Sequence, residues 1–442
     1  MKSLNEILKE INRIELNEDV NKISFKGILL WPIIRAHFSA KSLNGNIATN
    51  KDNVFLRIWV LIADSFTLLK FHNLIRKNIF LVYGYDPSGK YIINNNIIHK
   101  QAYPIRDYVG KDDFYLLEFG IRNFNTPRLD HIVNVSLLFS FYKIIFFPVH
   151  FIEKRIRRVS LEHQIDQLSR KYKIDNKVWN NIDDFFEKKS FFDFLIRLIK
   201  PKQIFLKSFN NNTAFSLIYV ANKNYIPTID YQHGQQGDNN LNYTNWFSIP
   251  SLGYQLLPRY FWLWGSNFEK KFDPWLIKQK YHKTKIVGNL WFNFVKNNKE
   301  LFPLVNLKKD VNVNVLVCLQ QTHIPKLIEQ AIICSKGVRW CFRLHPRELN
   351  NKAKLLKALN DLNVQSSLFE VEMSNTSLIE SLLQSVDVVI TEWSTVAYEA
   401  LLFKKKSIVI HENGLNAYTQ LIKENKIYYI NELKELLKEL KV

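Results

Sequence analysis

The chain has 442 residues, 47% hydrophobic and 14% aromatic, with a formal net charge of +20 at neutral pH. That length supports two or three domains with a large core, and the positive balance calls for an anionic partner. No Cys/His finger and no RNA-binding aromatic signature is present, which excludes nucleic acid and leaves an anionic membrane or substrate.

Residues 1–75 read as a helical N-terminal extension, interrupted by Ile28–Ile34 with its proline and continued by helical apolar spacing over Phe55–Arg76. Met1–Leu16 is charged and amphipathic and lacks the apolar core of a secretory leader. From Asn78 the pattern changes. Ile79–Tyr83 reads as a buried strand ending at Gly84–Gly89, and Phe114–Phe119 as another ending at Gly120. A helical region then runs to about Ile199. It contains the apolar run Ser136–Phe151, followed by the basic stretch Glu153–Arg158. Lys143 and Pro148 make that run too short and too interrupted to span a bilayer. It reads either as a core helix with a solvated basic end or as an interfacial helix on an anionic membrane.

Next comes a β-α-β unit, with strand Gln203–Lys207, helix Thr213–Ala221 and strand Tyr225–Tyr231 closing on Gln232, His233 and Gly234. Strands alternating with helices predict a parallel sheet with crossover helices. Tyr260–Trp264 reads as the last strand of this half, and Ile286–Asn289 as the crossing into the next. The second half offers strands at Val311–Leu319, Val338–Leu344, Glu370–Met373, Val386–Thr391 and Ser407–Ile410. Helices are predicted at Ile324–Lys336, Lys352–Leu362, Ser377–Gln384, Thr395–Phe403 and Glu432–Lys441. Cys318, Cys334 and Cys341 fit no metal-site spacing. They lie in or beside these elements and read as buried reduced thiols, which favours a cytosolic compartment.

Ligands of open α/β sheets sit at the carboxyl ends of strands. Two predicted strands end in residues suited to a phosphate. Arg343-Leu344-His345-Pro346-Arg347 follows one, and Glu392-Trp393-Ser394-Thr395 follows the other at the start of a helix. Small hydroxyls and helix starts bind anions, and His or Arg adds charge-assisted hydrogen bonds. Ser394 and Thr395 also serve as N-caps, which uses the same donors. Glu399 lies one turn further on, and Gln320, Gln321 and Thr322 end the first strand of this half. In the first half, His233 and Asp238 of Tyr231-Gln-His-Gly-Gln-Gln-Gly-Asp238 are candidate general bases, with Gly234 permitting close backbone approach. Asp86 and Glu118 end earlier strands and are rival bases. Asn289 sits at the crossing. No Asp-X-Asp in a strand context, no Walker loop and no Gly-X-Ser-X-Gly elbow is present, so no metal is expected.

The His-Pro pair with Asp387–Leu401 downstream resembles the C-terminal half of two-domain GT-B glycosyltransferases that build bacterial surface polysaccharides. The likeness is greatest to the capsule transferases for sialic acid and Kdo. It covers roughly residues 226–410. It implies an α/β, GT-B-like fold: two Rossmann-like domains facing a cleft, with the N-terminal helical extension. Residues 76–284 would form the acceptor domain and 285–442 the donor domain. It further implies an inverting, metal-independent transfer from a CMP-activated sugar to a capsule or lipopolysaccharide acceptor. His345, Pro346, Arg343, Gln320, Thr322, Ser394, Thr395 and Glu399 would bind the nucleotide, with Glu399 on the ribose and His345 on the phosphate or protonating it. No cofactor is required. The resembling enzymes take their base from an acid followed by another acid and glycine. Here only Glu118-Phe119-Gly120 comes near, so His233, Asp238, Asp86 and Glu118 stay open as bases. Two alternatives share this layout: a CDP-glycerol or CDP-ribitol polyol-phosphate transferase, and a non-catalytic capsule-assembly protein. A cytoplasmic enzyme, peripheral on the inner membrane face where lipid-linked acceptors sit, completes the expectation.

Overall fold

Short apolar strands, five or six residues at most, build two separate parallel sheets. The computed structural model describes residues 4–43, 80–83, 90–93, 96–110, 113–119, 132–234, 241–307 and 311–441. The chain divides into two compact units, Met1–Trp291 and Phe292–Val442.

The first unit opens with helix Leu4–Asn17, a hairpin of β1 (Ser24–Phe25) and β2 (Ile28–Leu29), and helix Trp31–Leu43. Lys26 and Gly27 both take positive φ, 50° and 75°, as a two-residue turn between twisted strands requires. The proline expected to interrupt the region, Pro32, instead stands in the first turn of the second helix, where its missing N–H costs nothing. The helical reading of Phe55–Arg76 lies outside the described residues.

The sheet of this unit comprises β3 (Phe80–Tyr83), β6 (Phe114–Glu118), β7 (Ile132–Asn134), β8 (Gln203–Leu206), β9 (Thr228–Tyr231), β10 (Tyr260–Leu263) and β11 (Lys283–Ile286). A small antiparallel pair, β4 (Lys90–Ile93) with β5 (Asn96–His99), stands apart from it. The sheet order is β11-β10-β9-β8-β3-β6-β7, all parallel. Helix Tyr103–Val109 covers part of one face, and its Ile105 joins Phe114, Leu116, Phe205 and Trp262 in one apolar cluster.

Three elements here depart from expectation. Tyr260–Trp264 does not end this half, because β11 pairs beyond it. The sequence Lys283-Thr-Lys-Ile286 carries no apolar run, since an edge strand with exposed lysines buries little. β7 lies inside the stretch read as helical. Tyr225 sits in a left-handed turn, φ 59°, so β9 begins at Thr228. The expected start of the second domain, residue 285, falls within β11.

In the second unit, β12 (Val313–Cys318), β13 (Val338–Arg343), β14 (Phe369–Glu370), β15 (Val388–Thr391), β16 (Lys406–Val409) and β17 (Tyr428–Tyr429) are all parallel, in the order β14-β13-β12-β15-β16-β17. This is a doubly wound sheet whose order reverses between β12 and β15. Alternate residues of β12 enter different cores. Val315 and Val317 join Trp340, Phe342 and Leu355, while Leu316 and Cys318 join Leu382, Val389 and Ala400. Burial on both faces is why the strands read as continuous apolar runs. The strand expected at 370–373 is only Phe369–Glu370 and gives way to helix Glu372–Thr376. Cys318 and Cys341 are buried as expected. Cys334 is exposed, because it ends helix Lys326–Cys334 on the solvent side.

Both halves are therefore doubly wound parallel α/β units, the architecture expected. Among the described residues no single helix is long and apolar enough to cross a membrane. The pair Ser136–Ile145 and Phe147–Tyr172, bent by 79°, meets that test only jointly.

Candidate nucleotide site

The switch point of the second sheet lies between the carboxyl ends of β12 and β15. Parallel pairing sets Cys318 beside Thr391, and the Thr391 hydroxyl donates to the Cys318 carbonyl at 2.9 Å. Gln320 and Thr322 follow β12, His345 follows β13, and Ser394 with Thr395 follows β15. All therefore leave the same edge of one sheet.

Two local networks hold these residues. In the first, the Thr322 hydroxyl donates to Glu348 Oε2 at 2.6 Å, and Asn351 Nδ2 donates to the same oxygen at 2.9 Å. The Glu348 amide donates to the His345 carbonyl at 2.7 Å. Pro346 opens the 3-10 turn Pro346–Asn351 that makes this geometry. The hydrogen bond from Thr322, then that from Asn351, holds the Glu348 carboxyl below its ordinary value, and His345 adds to the effect. The loops after β12 and β13 are thus joined, with half-buried His345 at the junction.

In the second network, the Tyr418 hydroxyl donates to the Ser394 carbonyl at 2.8 Å. Burial raises the Tyr418 phenol well above its ordinary value, and Glu399 reinforces this, so it remains a donor. Trp393 packs against His411, ring centroids 4.9 Å apart. Gly414 makes the close approach possible, because a Cβ there would overlap the Glu392 carbonyl and lie 2.8 Å from Val409 Cβ.

Capping at this helix is weaker than expected. Helix Val396–Leu402 is two turns long. Ser394 Oγ accepts from the Val396 amide at 3.4 Å, and Thr395 makes no side-chain cap. Glu399 lies in the first turn of this helix and is half-buried. Burial pushes the Cys318 thiol up to about 12, with Arg343 opposing and Glu399 reinforcing. Such a thiol is no nucleophile at neutral pH.

Arg343 is anchored through one nitrogen. Its Nη1 donates to the carbonyls of Ser374 and Ser377 at 2.6 and 2.8 Å, clamping the segment beside β13. The side chain of Arg347 lies outside the described residues. Sequence reasoning missed Glu348, Tyr418 and His411. His411 was reachable by the rule that selected His345, since it follows a predicted strand. Glu348 and Tyr418 gave no signal, because their roles depend on partners far along the chain.

In the first unit, His233 is exposed just past β9. Gln232 beside it is buried and fixes the strand end. It donates from Nε2 to the Gly234 carbonyl at 2.9 Å and accepts from the Trp264 amide at 2.8 Å. Glu118, 3% exposed, ends β6, and Asn289, 7% exposed, follows β11. All three leave the same edge of the first sheet. Yet β9 and β6 are three strand spacings apart, about 14 Å. His233 and Glu118 are therefore too far apart to act together at one hydroxyl. Asp86 and Asp238 lie outside the described residues. Among the described residues, no group of three or more His, Cys, Asp or Glu is placed to hold a metal ion.

No protein-family model and no curated protein matches the chain. Solved structures do. UDP-GlcNAc 2-epimerase from Methanocaldococcus jannaschii superimposes with a TM-score of 0.50 at 13% identity, covering 82% of this chain and 92% of that one. The UDP-GlcNAc-bound 2-epimerase from Neisseria meningitidis gives 0.48 at 11% identity, covering 82% and 90%. A UDP-forming trehalose-phosphate synthase from Burkholderia xenovorans gives 0.43 at 8%, covering 83% and 91%. The first of these likenesses extends over both units and shows a GT-B-like fold.

Proposed function

We propose that the chain is a GT-B glycosyltransferase that moves a sugar from a nucleotide donor to a bacterial surface glycan or glycolipid, in capsule or lipopolysaccharide synthesis. The observation that carries this reading is the strand-end set at the switch point of the second sheet. Thr322, His345, Ser394 and Thr395 leave one edge, and the first two are joined through Glu348. The His345 imidazole and the Ser394 and Thr395 hydroxyls suit the departing phosphate, whose developing charge they stabilise, while Thr322, donating to Glu348, fixes the loop beside them. Gln320 and Pro346 shape the loops around it, and Glu399 takes the ribose. A base from the first unit, His233, Asp238, Asp86 or Glu118, removes the acceptor proton. Gly234 and Asn289 stand on the acceptor side. A single displacement inverts the anomeric centre and asks for no metal. The resemblance of the His-Pro and Ser-Thr segments to sialic acid and Kdo transferases supports a CMP-activated donor. A lipid-linked acceptor places the enzyme at the inner face of the cytoplasmic membrane.

A second reading has its own support, because the Methanocaldococcus jannaschii structure that shares the fold is a UDP-GlcNAc 2-epimerase. An epimerase needs only its nucleotide sugar, whereas a transferase releases nucleotide in proportion to acceptor.

The test is a melting series with CMP, CDP, UDP and GDP, followed by turnover of His345→Ala. A ligand at a hundred times its Kd stabilises the native state by about 2.7 kcal/mol. CMP or CDP should give the largest rise, and His345→Ala should abolish both that rise and transfer while still folding. A larger rise with UDP would move the donor away from cytidine. Normal turnover of the variant would overturn the site.

A further inference from the structure

We propose that the outward face of the bent helix pair Ser136–Ile145 and Phe147–Tyr172 docks on a bilayer containing anionic phospholipid. This gives the membrane location above a specific surface, and it does not depend on the transfer chemistry.

The long helix is apolar on two opposite faces. Arg157, Leu161, Ile165, Leu168 and Tyr172 form the stripe turned into the first unit, and all are buried. Ile152, Ile156 and Val159 form the opposite stripe, and they are 58%, 53% and 70% exposed. Phe147 and Phe151 continue the exposed surface with their rings 6.2 Å apart. On the shorter helix, Phe139 and Tyr142 turn inward onto Phe191, while Phe141, Ile144 and Ile145 face water. A helix resting on a core needs one apolar stripe. The second has nothing among the described residues of this unit to cover it, and a contiguous exposed patch of this kind marks an interaction surface.

Charge identifies the occupant. From Ser136 to Ile152 the sequence has no acid and one lysine, Lys143. Over Ser136–Tyr172 there are seven basic and three acidic residues. Arg155 lies beside the exposed stripe, and Lys154 and Arg158 border its Phe151 and Val159 flank, a surface that Glu162 and Asp166 share. Asp183 fixes two of these cations, with Lys154 at 3.2 Å and Arg158 at 2.8 Å. Apolar residues bordered by fixed cations match the boundary between acyl chains and anionic headgroups. A second copy of the chain fits poorly. A twofold interface would set this face on itself and bring the cations together. The 79° bend falls at Phe146, and the exposed Ile144, Ile145 and Phe147 flank it, which suits shallow insertion, not a span.

The test uses the full chain with vesicles of phosphatidylcholine alone and of phosphatidylcholine with about 30% phosphatidylglycerol, which supplies the anionic surface. Sedimentation should show strong binding to the mixed vesicles at low salt, reduced at high salt, and weak binding to the neutral ones. Ile144→Glu and Ile156→Glu should each weaken binding about tenfold or more, with unchanged melting because both side chains face water. Ile152→Trp should shift its emission to the blue only with mixed vesicles. The nucleotide melting series on the same samples tells loss of this surface from failure of the transferase reading. Binding to neither vesicle at any ionic strength would overturn the proposal. So would a dimer in solution that Ile144→Glu and Ile156→Glu dissolve.

Discussion

Glu15→Ala should destabilise the first unit severely, by about 3–5 kcal/mol, because it strands a buried cation. Glu15 and Arg35 are both fully inaccessible and paired through Oε1 and Nη1. The carboxylate also accepts from the Trp31 indole at 2.7 Å and from the amides of Phe247 and Ser248 at 2.6 and 3.2 Å. Arg35 in turn donates to the carbonyls of Leu241, Thr244 and Asn245 at 2.7, 2.8 and 3.1 Å, and lies 4.1 Å over the Trp246 ring. Removing the acid leaves the guanidinium charged and two amides without acceptors, each costing about 1–3 kcal/mol where water cannot reach. These costs overlap, so the upper part of the range is expected. Against a typical domain stability of about 5–15 kcal/mol, this is a large share. Arg35→Met should cost at least as much, because three carbonyls lose their donor. The assay is urea unfolding read by tryptophan emission, to which Trp31 and Trp246 report directly. Amide exchange at Phe247 and Ser248 distinguishes the first unit from the second. Residues 241–248 follow directly from the His233–Asp238 segment, so the damage should extend to turnover. A loss under about 1 kcal/mol, below the cost of even one stranded amide, with protected Phe247 and Ser248 amides would refute the account.

Three further outcomes are expected. His282 is fully buried; its Nδ1 donates to the Pro258 carbonyl at 2.7 Å and its Nε2 accepts from the Tyr254 amide at 3.0 Å. Burial lowers its pKa from 6.5 to about 4. In that window the unfolded chain binds the proton and the native state does not, so stability falls as pH drops from 6.5 to 4, by roughly 3 kcal/mol. His282→Gln should flatten this slope in denaturation measured across that range, and an unchanged slope would remove His282 as its source. Gly414→Ala should cost more than about 1 kcal/mol and weaken nucleotide binding, since the new Cβ meets the Glu392 carbonyl; a neutral variant would contradict the close approach. Ser394→Ala with Thr395→Ala should weaken donor affinity while lowering stability by less than a full cap's worth, about 1 kcal/mol, because Thr395 makes no cap and the Ser394 contact is long. Unchanged affinity in a binding titration would leave these residues a structural role only.

Much of the second unit was legible in the sequence. Strands buried on both faces are unbroken apolar runs, so β12, β13 and β15 announce themselves, and the residues just beyond them are strand-end residues by necessity. By the same rule His345, Thr322 and Ser394 stand at strand ends. These are local signals, carried by neighbouring positions. The tertiary structure decided what local signals cannot. An edge strand such as Lys283–Ile286 buries too little to look like a strand. Arg343 faces the strand end in sequence, yet its guanidinium belongs to Ser374 and Ser377, thirty-one and thirty-four positions on. Glu15 and Arg35 are ordinary helix charges until Leu241–Ser248 closes over them. An apolar run states only that residues avoid water. Which of them meet a core, and which, like Ile152 and Ile156, are left facing outward, follows from the elements that fold against them.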